Sequence, residues 1–158
     1  MAFGLLEVQL INAKGLKGSD FLTDKIDPYV VLQYKNQERQ SQVARGAGEG
    51  GSPVWNEKLT FRAEYPGQGG EYKLILKIMD KDTFSADDYL GQATIYVKEL
   101  LEMGVENGKA ELHPHKYSVV QADQSYCGEI QVGIHFTLKA GDEVDVGEEI
   151  GGWTQGCF

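Results

Sequence analysis

The sequence predicts an all-β domain, an eight-stranded antiparallel β-sandwich with one short helix in a connecting loop. Three observations carry this prediction. Apolar residues recur with a period of two in about eight segments, Gly, Pro, Asn and Asp clusters close those segments, and helical spacing occurs in one stretch only.

Taken in order, "LLEVQLI" sets Leu6, Val8 and Leu10 on one face of a first strand. "DPYVVLQY" begins with a turn residue and a proline of fixed φ, then continues as a strand. "GAGEGGS" fits G-x-G-x-x-G on Gly46, Gly48 and Gly51, but Pro53 and the strand-like "VWNEKLTF" follow it. A dinucleotide fingerprint needs a helix there, so this segment is read as a loop. "YKLILKI" points Tyr72, Leu74, Leu76 and Ile78 one way, and "ATIYV" keeps the alternation. "VKELLEMGV", 97–105, has helical spacing and is expected to end at Gly104. His113 and His115 flank Pro114 on an expected edge strand. "GEIQVGIHFTL" closes the pattern with Ile130, Val132, Ile134, Phe136 and Leu138.

The 158 residues are expected to form one domain, 1–139, followed by an acidic tail, 140–158, that reads as a solvated, disordered end. Net charge is −9; residues 141–158 hold five acids and no base, which leaves −4 over residues 1–140. Without the aspartates at 20, 24, 27, 80, 82, 87 and 88, the rest of the body comes to +3. No apolar run approaches the roughly 20 residues of a membrane span. The N-terminus lacks a basic signal-peptide region, Ala2 excludes myristoylation, and Cys157 stands too near the end for a prenylation box. Cys127 and Cys157 read as a reduced pair. The expectation is a cytoplasmic protein without a permanent anchor.

The charge is clustered. Asp80, Asp82, Asp87 and Asp88 crowd the end of one strand, and Asp20, Asp24 and Asp27 precede another. Two carboxylates 5 Å apart at an effective dielectric near 20 repel by about 3 kcal/mol. Five converging groups therefore either take up protons or require a cation. Oxygen ligands in flexible number suit calcium better than magnesium. No histidine or cysteine joins the clusters, which argues against zinc, and the loop lacks the EF-hand frame, glycine and terminal glutamate.

The segments "DFLTDKIDPYVVL", "PVWNEKLTF" and "IMDKDTFSADDYLG", in this order and spacing, resemble a C2 domain over roughly residues 4–138. The likeness is greatest to small plant proteins made of one such domain, of the elicitor-responsive and 16 kDa phloem protein type. The resemblance implies the type II topology, with the edge strand supplied by the C-terminus. It also implies a module that binds phospholipid in a calcium-dependent way, holding one to two Ca²⁺ ions, in calcium or defence signalling in a plant cell. Carried over by position, the implied metal ligands are Asp27, Asp80, Asp82, Ser85 and Asp88. Asp20 joins them from a first loop one residue longer than the family's usual spacing, and Asp24 is its substitute. Asp87 is read as solvated. Phe21 and Phe84, lying within the acidic loops, are read as membrane anchors. Lys35 and Arg39, with Arg45, are read as contacts to anionic head groups.

No catalytic set emerges: the three histidines read as structural or exposed, and nothing marks Cys127 as activated. Trp55 reads as a core-edge aromatic. The expected partner is an anionic phospholipid surface, met peripherally when calcium rises, and a monomer is expected. Two alternatives remain open: a phloem-mobile carrier of RNA or protein, and a calcium-independent adaptor for a protein partner. The acidic total and thin basic patch predict weak RNA binding.

Overall fold

A computed structural model describes residues 2–16, 27–44, 53–67, 71–81 and 86–139. Its elements are β1 (Ala2–Lys14), β2 (Pro28–Tyr34), β3 (Gln37–Gln40), β4 (Val54–Tyr65), β5 (Lys73–Asp80), β6 (Asp88–Tyr96), α1 (Lys98–Asn107), β7 (Lys109–Val120) and β8 (Tyr126–Leu138). All ladders are antiparallel, in the order β3-β2-β5-β6-β7-β8-β1-β4.

The β6–β7 junction rests on one pair, Gln92 opposite Val120, so the strands divide there into two four-stranded layers. At the other side, β3 and β4 meet through side chains. Gln37 donates to the Arg62 carbonyl at 2.6 Å and accepts from its amide at 2.9 Å. Arg39 Nε donates to the Thr60 carbonyl at 3.1 Å, its guanidinium lying over the Phe61 ring. The result is the expected β-sandwich.

Period-two patterning explains why the layers adhere. Leu6 stands opposite both Phe61 and Phe136, and Leu32 opposite Leu76; all five are fully buried. Tyr72, Leu74, Leu76 and Ile78 are all buried, as the spacing requires. A one-residue slip would send each of these rows to water, at about 1.5–3 kcal/mol per large side chain, so the register is firmly fixed.

Two expectations are corrected. The C-terminal strand β8 does pair with β1, but it is not an edge: it lies between β1 and β7, where its four fully buried apolar residues, Ile130, Val132, Ile134 and Phe136, require cover. The helix does not end at Gly104. It runs to Asn107 and is capped by Gly108, whose φ of 92° is left-handed and whose N–H donates to the Gly104 carbonyl. Gly104 serves packing instead, since a Cβ built on it would lie 2.1 Å from Phe136 Cδ2.

Candidate functional site

β2, β5 and β6 are neighbours, and their register sets the acidic residues at one end of the layer. Pro28 pairs with Asp80, and Asp80 pairs with Asp88. Asp27, just ahead of Pro28, therefore stands at the same end of three adjacent strands as Asp80 and Asp88.

The backbone there is held from several sides. The Asp27 amide donates to Asp80 Oδ1 at 2.9 Å, and the Lys81 amide donates to the Asp27 carbonyl at 3.0 Å. The Pro28 carbonyl accepts from the Ala44 amide at 2.9 Å and from Trp55 Nε1 at 3.3 Å. Trp55 is thus a buried core-edge residue, as its sequence context suggested, and it braces the corner carrying Asp27.

Asp87 is not simply solvated, contrary to expectation. Its side chain is 19% exposed, it accepts a hydrogen bond from the Tyr29 hydroxyl, and Lys81 Nζ stands 3.9 Å from it. The hydrogen bond, burial and the Asp87 charge together push the Tyr29 phenol up to about 12. Sequence reasoning missed this link because a tyrosine after "DP" has no pattern that names a partner 58 residues away.

Donor chemistry at this end suits a hard cation: Asp27, Asp80 and Asp88 offer oxygen, without nitrogen or sulfur. Among the described residues no group of three or more Asp, Glu, His or Cys converges closely enough to hold an ion. Asp20, Asp24, Asp82 and Ser85, the other candidate ligands, lie outside the described residues, as do Phe21, Phe84 and Arg45.

Lys35 and Arg39 are placed elsewhere. Lys35 sits in the turn after Tyr34, beyond the far end of β2 and roughly 25 Å along the strand from Asp27. Its Nζ lies over the Tyr72 ring, 4.8 Å from the centroid. Arg39 is the β3–β4 tie described above. His113 and His135 both approach Glu111, at 3.3 and 3.5 Å, on the exposed face of β7 and β8. Among the described residues no helix is long and apolar enough to cross a membrane.

The C2 domain family model matches residues 4–112. The chain is 58% identical to 16 kDa phloem protein 1 of Arabidopsis thaliana over 97% of this chain and 96% of that one. It is 50% identical to elicitor-responsive protein 1 of Oryza sativa subsp. japonica, over 95% and 94% respectively. A solved C2 domain-containing protein from a putative elicitor-responsive gene superposes with a TM-score of 0.67 at 36% identity, covering 91% of this chain and 97% of that one.

Proposed function

Because the chain belongs to the C2 domain family, we propose that it is a calcium-dependent membrane-targeting module rather than an enzyme. One observation carries the reading: the register that gathers Asp27, Asp80 and Asp88 at one end of β2, β5 and β6. Oxygen-only donors on a hydrogen-bonded corner are suited to a hard cation and little else.

Asp27, Asp80 and Asp88 would hold the ion together with Asp20, Asp82 and Ser85, with Asp24 as the substitute for Asp20. Bound calcium supplies positive charge that offsets the carboxylates and attracts anionic head groups. The protein's own contribution is to set these residues at one end of three adjacent strands before any ion arrives. The Trp55 and Ala44 bonds to Pro28 keep that corner from relaxing outward. Phe21 and Phe84 are proposed to enter the lipid, each worth about 1.5–3 kcal/mol if fully buried. The module is then peripheral to the membrane and recruited when calcium rises.

The test is co-sedimentation with neutral and anionic vesicles, with and without calcium. Binding only to anionic vesicles and only with calcium is the expected result; equal binding in chelator overturns the reading. A second reading, a phloem-mobile carrier of RNA or protein, is favoured by the 58% identity to a protein named for phloem. Tight, sequence-selective RNA binding at physiological salt, with no vesicle binding, would establish it instead.

A further inference from the structure

The end of the sandwich away from Asp27 carries a different feature. Tyr34, Lys35 and Gln37, around the β2–β3 turn, and Arg62, Glu64 and Gly67, at the end of β4, line a cavity of about 760 Å³. Tyr34 is fully buried, and among the described residues nothing hydrogen-bonds its hydroxyl. Among the described residues the lining holds two cations, Lys35 and Arg62, and one acid, Glu64, whose carboxylate stands 3.4 Å from the Arg62 guanidinium. An anionic occupant fits better than a neutral one.

The C-terminal segment leaves the fold beside this cavity. The Lys139 amide donates to the Phe3 carbonyl at 2.9 Å, and Phe3 stands opposite Glu64 in the β1–β4 ladder. The Arg62 guanidinium lies over the Phe3 ring, 3.9 Å from its centroid. Lys139 is therefore two strand spacings, about 10 Å, from the cavity rim. Three extended residues span that distance. The first acids after Lys139 are Asp142 and Glu143, three and four residues on, followed by Asp145; no base occurs from 140 to 158.

We propose that the acidic segment beginning at Asp142 docks in cis on this cavity, setting its carboxylates against Arg62 and Lys35. Exit point, reach and charge select this occupant over a foreign anion, which would have to compete with five acids on the same chain.

Paramagnetic relaxation on the full chain tests the docking without lipid or calcium, so its failure is separate from failure of the membrane reading. A nitroxide is placed at Gly147→Cys, with Cys127→Ala and Cys157→Ser removing the native thiols. Amide signals of Lys35–Gln37 and Arg62–Gly67 should broaden at least twofold more than those of Asp80 and Asp88. Neutralising the segment with Asp142→Asn, Glu143→Gln and Asp145→Asn, which leaves the strands untouched, should abolish that preference. Uniform broadening, broadening at another surface, or no response to neutralisation overturns the proposal. Broadening of unlabelled copies in a mixed sample also overturns it, because the occupant would then be a second molecule's tail.

Discussion

Tyr29 on β2 donates its phenolic hydrogen to the carboxylate of Asp87, which immediately precedes β6. β5 lies between those two strands, so the bond bridges the layer at the end where Asp27, Asp80 and Asp88 gather. It ties the root of the acidic loop before β6 to the start of β2, across β5. Breaking it should be felt in stability and in loop order. Tyr29→Phe is expected to cost about 1–2 kcal/mol in urea unfolding. Asp87→Ala should cost at least as much, since it strands a buried phenol. Asp87→Asn should cost less, because the amide oxygen still accepts. Equal losses for alanine and asparagine would mean that charge, not the hydrogen bond, does the tying.

Alkaline pH offers a second measurement. Tyr29 is pushed up to about 12 chiefly by its bond to Asp87, and Tyr34 to about 12 chiefly by burial. Above the ordinary phenol value of 10 the unfolded chain releases these protons while the folded chain retains them. The stability they contribute is full below pH 10 and is lost as pH rises toward about 12. Denaturation midpoints should therefore hold steady to pH 10 and fall between 10 and 12. Tyr34→Phe should shallow that fall. It should also stabilise the protein near neutrality by about 1 kcal/mol or more, because a buried hydroxyl with no partner among the described residues is removed while the ring stays against Phe61.

How much was legible in the sequence follows from which forces have a period. Burial repeats every second residue in a strand, so Leu6, Val8 and Leu10, or Tyr72 to Ile78, declare their faces without a structure. Loop carboxylates declare a charge conflict, and Asp27, Asp80 and Asp88 stand at one end of the layer because strand register brings them there. Contacts that depend on side-chain reach have no such signature. Neither Arg39 crossing to Thr60 nor Tyr29 meeting Asp87 can be read from spacing. Gly104 misled for a related reason: glycine ends helices, yet it also makes room, and only the position of Phe136 separates the two roles.

That distinction gives the third prediction. By helix propensity alone, Gly104→Ala should stabilise α1 by about 1 kcal/mol. The new methyl would, however, stand 2.1 Å from the ring of Phe136, which is fully buried. Overpacking costs of about 1–3 kcal/mol outweigh the propensity gain. A net loss is expected in thermal or urea unfolding. Pairing Gly104→Ala with Phe136→Leu should cost less than the two single changes added together, since each relieves the other. Strict additivity would place the two residues out of contact.

The last prediction separates the acids by role. An ion bound by the folded chain alone raises its stability by mass action, so the melting temperature should rise by several degrees in millimolar calcium and much less in magnesium. Asp27→Asn should remove most of that rise. Asp27 lies at the strand end with Asp80, and the contact made there by its own backbone, the amide bond to Asp80 Oδ1, survives the substitution. A lost calcium response can then be assigned to the missing charge rather than to a disturbed corner. Asp87→Asn should keep nearly the full response, because the residue is committed to Tyr29 and Lys81. The check is a pair of melts, in calcium and in chelator, for wild type and both variants. If Asp87→Asn proved as damaging as Asp27→Asn, Asp87 would belong to the ion site and the assignment of Asp88 as the third-loop ligand would be wrong.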